Sequence, residues 1–139
     1  MTSTEAFFDT NILMYALASD IEKADRSEAL LSSGGTISVQ VLNECALALR
    51  RKFKARWPAI ALASACMREI CEVVPVTVET HVRGLALAAR HKLHVYDGMI
   101  VAAALIAGCT TLYSEDMHDG LVIDRLTIRN PYKPSAAGR

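Results

Sequence analysis

The chain has 139 residues, 52% of them hydrophobic, and a formal net charge of zero. That length suits a single domain with its own core, and zero net charge excludes bulk charge as a means of gripping nucleic acid, so local charge must carry any such argument. Cys45, Cys66, Cys71 and Cys109 form no Cys-x-x-Cys pair and no tight Cys/His cluster, which argues against a zinc site, and a reduced, cytoplasmic setting fits best.

The elements are expected as follows. Ala6-Phe7-Phe8 reads as a first strand, and a helical stretch runs from Ile12 to Leu17. Ile21 to Leu31 is a second helix, stopped by Ser32-Ser33-Gly34-Gly35. Thr36-Ile37-Ser38 is a minimal second strand, and Val39 to Phe53 follows at helical period with Leu42, Cys45, Ala46 and Leu49 on one face. Pro58 suits a first helical position and starts a helix to about Ile70. Val73-Val74-Pro75-Val76 is a third strand, with Pro75 pointing to an edge. Thr77 caps a helix from Val78 to about His91.

Asp97 is expected to open the next helix, with Gly108 ending it. Thr110-Thr111-Leu112-Tyr113 is a fourth strand and Leu126-Thr127-Ile128-Arg129 a fifth; residues from Pro134 read as a frayed tail, leaving 1–133 as one domain. The N-terminal residues show no basic segment followed by an apolar run, so no signal peptide is expected, and the apolar run from Met99 to Ala107 is far shorter than the roughly 20 residues a membrane span needs. Strands separated by helices predict a three-layer α/β/α sandwich with a mostly parallel sheet. Ligands of such sheets bind beyond the carboxyl ends of the strands.

Three acids stand alone. Asp9 is the only formally charged residue between Ala6 and Ser19, Glu44 between Leu31 and Leu49, and Asp97 between Leu93 and Ser114. A carboxylate in an apolar segment is costly to bury without compensation. Asp9 and Asp116 each follow a strand, Glu44 lies in the helix after the second strand, and Asp97 sits where a helix dipole favours negative charge. All four can face one cleft. Taken singly, Asp9 and Asp97 are also ordinary helix caps or turn residues, and Asp116 an ordinary loop acid. Jointly they make an all-oxygen donor set suited to Mg²⁺ or Mn²⁺, one or two ions, and thus to phosphoryl chemistry.

Four blocks then appear in order: Phe8-Asp9-Thr10-Asn11-Ile12-Leu13, Ser38-Val39-Gln40-Val41-Leu42-Asn43-Glu44, Tyr96-Asp97-Gly98-Met99-Ile100-Val101-Ala102-Ala103-Ala104, and Leu112-Tyr113-Ser114-Glu115-Asp116. This ordered set resembles PIN domains, and within them VapC-type toxins, the ribonuclease half of bacterial toxin–antitoxin pairs. The resemblance implies endonucleolytic RNA cleavage, with Asp9, Glu44, Asp97 and Asp116 as the catalytic and metal-holding acids. It also implies that Thr10 and Asn11 support the first acid, that the protein is a homodimer, and that a VapB-type antitoxin covers the site. Gly98 stands where alanine is expected, and Asp119 is a possible additional acid; His118 reads as a surface residue.

Arg50, Arg51, Lys52, Lys54 and Arg56 are the densest basic cluster and the candidate RNA contacts, although a solvated helix end explains them equally well. Phe53 and Trp57 could stack on a base, with packing the stronger expectation. A dehalogenase-type phosphatase needs a second Asp where Asn11 stands, and a receiver domain needs an acidic pair near Asp9; neither is present. The remaining alternative is a catalytically silent PIN-like module that binds RNA or protein.

Overall fold

In the computed structural model the described residues are 5–17 and 21–133. The tail expected from Pro134 lies outside them. Six strands form one sheet in the order β3-β2-β1-β4-β6-β5. They are β1 (Ala6–Phe8), β2 (Thr36–Ser38), β3 (Glu72–Val74), β4 (Thr111–Tyr113), β5 (Val122–Ile123) and β6 (Leu126–Arg129). All pairings are parallel except β5 with β6. The helices are α1 (Thr10–Ala16), α2 (Ile21–Ser32), α3 (Val39–Lys52), α4 (Trp57–Ile70), α5 (Val78–His91) and α6 (Val95–Ile106).

Phe7 and Phe8 are both fully buried although consecutive strand residues point to opposite faces. Both faces of the sheet are therefore covered, as a parallel sheet requires. The core joins these rings to Ile12, Ile37, Val41, Leu112, Leu126, Ile128 and the apolar run of α6. From Gly98 to Leu105 every residue of α6 is buried. Met99–Leu105 is thus a helix inside the protein, and no helix among the described residues is long and apolar enough to cross a membrane.

Several boundaries differ from expectation for local reasons. The last helix opens at Val95, because His94 Nδ1 accepts from the Tyr96 N–H at 3.2 Å and serves as the cap. Asp97 is therefore the third helical residue, still within the first turn. Pro58 is the second residue of α4, and β3 stops before Pro75, which has no N–H for a ladder. Strand β3 does lie at the sheet edge. Strand β5 was not anticipated: two residues, Val122 and Ile123, fold back on Leu126 and Thr127, too short a run to announce itself.

Gly98 has a packing reason. A Cβ there would lie 2.5 Å from the Gly84 carbonyl oxygen, and one at Gly84 would lie 2.6 Å from the Met99 sulfur. The two glycines let α5 and α6 approach backbone to backbone. That close approach is the packing counterpart of the roughly 0.5–1 kcal/mol of helix stability that glycine costs.

The chain runs from β1 outward to β2 and β3, then returns to place β4 on the other side of β1. This reversal creates a crevice at the carboxyl ends of β1 and β4. Phe8 pairs with Tyr113 in register, so the residues that follow, Asp9 and Ser114, emerge side by side at its mouth.

Candidate active site

A cleft of about 520 Å³ opens at this point, lined by Asp9, Glu44, Asp97 and Asp116 together with Thr10, Asn11, Arg51, Lys52, Phe53 and Tyr96 among others. The four acids come from the end of β1, the middle of α3, the first turn of α6 and the loop after β4.

Asp9 is the most deeply set, 4% exposed. Oδ1 accepts from the Thr10 N–H at 2.7 Å, and Oδ2 accepts from Ser114 Oγ at 2.7 Å. Burial pushes its pKa up to about 7 against these two stabilising bonds, with the negative charges of Asp97 and Glu44 raising it further. Glu44 is shifted upward mainly by burial, opposed by a 3.1 Å hydrogen bond from Gln40 Nε2 and aggravated by Asp97 and Asp116. Asp97 is raised mainly by burial, with His94 acting against the shift and Asp116 adding to it. Neighbouring negative charges thus raise Asp9, Glu44 and Asp97, and among the described residues none of the four acids forms an ion pair.

The supporting bonds fall differently from expectation. Thr10 supports Asp9 through its backbone, and its own buried Oγ1 has no hydrogen-bond partner among the described residues. Asn11 supports Asp116 and not Asp9: Nδ2 donates to Asp116 Oδ2 at 3.1 Å, while Oδ1 accepts from the Glu115 N–H at 3.2 Å. Asp9 caps α1 and points into the crevice, whereas Asn11 lies one step along the helix, beside the β4 loop.

Ser114 went unnoticed in the sequence, although it lies inside the fourth block. It is fully buried, donates to Asp9, and its Oγ accepts from the Asp116 and Met117 N–H groups at 3.3 Å each. One hydroxyl therefore fixes both the first acid and the loop that carries the fourth. Its signal was a serine directly after a strand and two residues before an acid, a local backbone-bonding pattern. His94 was also missed as a neighbour of Glu44 and Asp97.

Asp119 lies outside the cleft lining and accepts from the Asn130 N–H at 2.8 Å, a structural loop bond. His118 is exposed and is not a lining residue. The basic cluster divides. Arg51 and Lys52 reach the cleft with Phe53, whereas Arg50, Lys54 and Arg56 are not part of the lining. Arg50 lies over the Trp57 ring at 4.7 Å and donates to the Ala55 carbonyl at 3.0 Å. Trp57 is thus a partner for arginine beside the turn at 53–56.

These features define a class: an α/β domain whose sheet edge holds acids from four separate segments in one open cleft. The chain belongs to the PIN domain family, which matches residues 6–118. Its fold is similar to a chain of a toxin–antitoxin complex from Klebsiella pneumoniae, at 22% identity over 94% of this chain and 100% of that one, with a TM-score of 0.68. It is similar to Mycobacterium tuberculosis VapC20, a Sarcin-Ricin loop cleaving toxin, at 21% identity over 81% and 90% of the two chains, TM-score 0.68. Rickettsia felis VapBC2, solved with a fragment of its promoter DNA, is similar at 18% identity over 90% and 97%, TM-score 0.64. A comparison with curated proteins gave no match.

The donor set fits a hard divalent cation. Its side chains are all carboxylates, a deeply buried one among them has its pKa raised by burial and by like charges, and among the described residues no lysine or arginine pairs with them. Among the described residues, no three His, Cys, Asp or Glu side chains already stand in a metal-holding arrangement.

Proposed function

We propose that this chain is a metal-dependent endoribonuclease, the VapC-type toxin of a toxin–antitoxin pair. One observation carries the reading: four carboxylates far apart in sequence line one cleft, and among the described residues none of them forms an ion pair. Membership of the PIN family and the likeness to toxin structures support it.

In this reading Asp9, Glu44, Asp97 and Asp116 hold Mg²⁺ or Mn²⁺, and Thr10 and Ser114 fix the Asp9 oxygens. When bound, such an ion supplies Lewis acidity toward water and a phosphate oxygen. Asn11 orients Asp116 through Nδ2. Gln40 Nε2 donates to Glu44 Oε2, and Glu44 Oε1 is assigned the proton of the attacking water as its oxygen bonds phosphorus in line, while the opposite P–O bond breaks and the departing ribose oxygen takes a proton from solvent. Arg51 and Lys52, on the same cleft, bind flanking phosphates.

The reading includes a VapB-type antitoxin, a homodimer and a cytoplasmic setting. Large apolar side chains left exposed, among them Trp57, Leu62, Val78 and Val82, support protein partners. Free cysteines at 45, 66, 71 and 109 support a reducing compartment.

The test is cleavage of structured RNA by the purified chain with Mn²⁺ or Mg²⁺, with a chelator, and by Asp97→Asn. Cleavage that needs the ion and falls at least ~100-fold in the variant is expected, since even outer-shell changes at metal sites cost about 10–100-fold. Intact RNA under every condition would leave a catalytically silent module. An Asp97→Asn rate equal to wild type would sink the site assignment.

A further inference from the structure

A fifth acid lines the cleft. Glu115 is among the lining residues, directly before Asp116, yet the fold treats it unlike the other four. Lys23 Nζ, from α2, lies 2.7 Å from Glu115 Oε2. The Tyr15 hydroxyl, from α1, donates to Glu115 Oε1. Both carboxyl oxygens are therefore engaged on the cleft wall.

The lysine is itself held. Its ammonium sits 4.5 Å from the Tyr15 ring centroid and 5.5 Å from that of Tyr132, and it donates to the Tyr15 hydroxyl at 3.1 Å. The two rings meet edge to face at 5.0 Å. The Tyr132 hydroxyl shares a 2.5 Å hydrogen bond with Ser27 Oγ on α2. Cation–ring attraction and these bonds keep the ammonium beside Glu115. Lys23 is not among the residues that line the cleft.

An extra negative charge at this position has two physical consequences. It attracts divalent cations, and it repels the phosphates of a nucleic acid. We propose that Lys23, caged by Tyr15 and Tyr132, masks Glu115 and holds its carboxylate against the wall, limiting the ion-holding set to four acids and keeping the rim passable for RNA. Lys23 is then a positioning residue that acts through Glu115. The inference rests on the nuclease reading of the same cleft, and its primary readout does not require cleavage.

The experiment measures Mn²⁺ affinity of the metal-free protein by calorimetry, and RNA affinity separately, for the wild type and for Lys23→Met, Lys23→Arg, Glu115→Gln and the Lys23→Met/Glu115→Gln double variant. In Lys23→Met, Mn²⁺ binding tightens and RNA binding weakens, each on the order of fivefold for a partly exposed charge. Lys23→Arg stays near wild type. The double variant returns both affinities toward wild type, because the charge that needed masking is gone. Thermal unfolding of each variant identifies any that fails to fold, and Glu115→Gln, which removes the carboxylate and keeps the cation, then shifts both affinities in the opposite directions.

An unchanged or weaker Mn²⁺ affinity in folded Lys23→Met overturns the mask. So does RNA affinity that stays low in the double variant, which would make Lys23 a direct RNA contact. A wild-type protein that binds Mn²⁺ and cuts no RNA fails the nuclease reading while leaving the Mn²⁺ arm of this test intact.

Discussion

Asp9 and Glu115 line the same cleft, and the fold handles their charges in opposite ways. Glu115 has a lysine at 2.7 Å and a tyrosine hydroxyl on its other oxygen. Asp9 is almost fully buried, receives only neutral donors from Thr10 and Ser114, and faces the charges of Asp97 and Glu44. A stable protein compensates a buried carboxylate when nothing else will. The contrast shows that this chain brings a cation to one acid of the cleft, while among the described residues none pairs with Asp9. A buried carboxylate left without a countercharge in a cleft marks a candidate functional site, and the proposed ion would complete it.

The largest expected effect tests the uncompensated side. In the metal-free folded protein Asp9 holds its proton up to about pH 7, against an ordinary 3.8 in the unfolded chain. The folded state thus binds the proton more tightly. This contribution to stability is fully present below pH 3.8 and is lost as pH rises through about 7, a difference on the order of 4 kcal/mol. Chemical denaturation of metal-free protein is expected to show wild type losing stability relative to Asp9→Asn across that window. Mn²⁺ is expected to restore it above pH 7 in wild type alone. A wild type and variant that track each other at every pH would show that Asp9 is not strained.

Ser114→Ala comes next. The change removes the hydroxyl that donates to Asp9 Oδ2 and accepts from the Asp116 and Met117 amides. Mn²⁺ affinity and RNA cleavage are expected to fall about 10–100-fold, the range for a bond that orients a metal ligand. Ser114→Thr keeps the hydroxyl and should retain more of both. Equal losses in the two variants would mean that packing at this buried position, and not the bond, sets the site.

The acids were legible because isolation in an apolar stretch is a one-dimensional signal. Asp9, Glu44 and Asp97 each announce themselves against silent neighbours, and a parallel sheet supplies the common edge where such residues meet. Strand β1 and helices α2, α3 and α5 were legible for a related reason, since hydrophobic period and capping residues such as Thr77 are local. What escaped depends on contacts across the chain. The bond from Asn11 to Asp116 spans 105 positions, and nothing near Asn11 tells whether it turns toward Asp9 or away. Gly98 looked out of place until Gly84 appeared against it. Glu115 was hidden in the opposite sense to Asp9, because its compensating lysine lies 92 positions away.

The smallest effect separates basic residues that look alike in sequence. Arg51 and Lys52 line the cleft, while Arg50 spends its guanidinium on the Trp57 ring and the Ala55 carbonyl. Each cation that neutralises an RNA phosphate steepens the salt dependence of binding by about 0.7 in the log–log slope for single-stranded contacts. In a cleavage-blocked Asp97→Asn background, Arg51→Ala and Lys52→Ala are each expected to flatten that slope by roughly this amount, whereas Arg50→Ala leaves it unchanged. The sign of the contrast is its content: exposure is shared by all three residues, so only a backbone path along the acidic cleft distinguishes them. If Arg50→Ala flattens the slope as much as Arg51→Ala does, the RNA passes over the end of α3 and the turn that follows, and the cleft holds only the phosphate being cut.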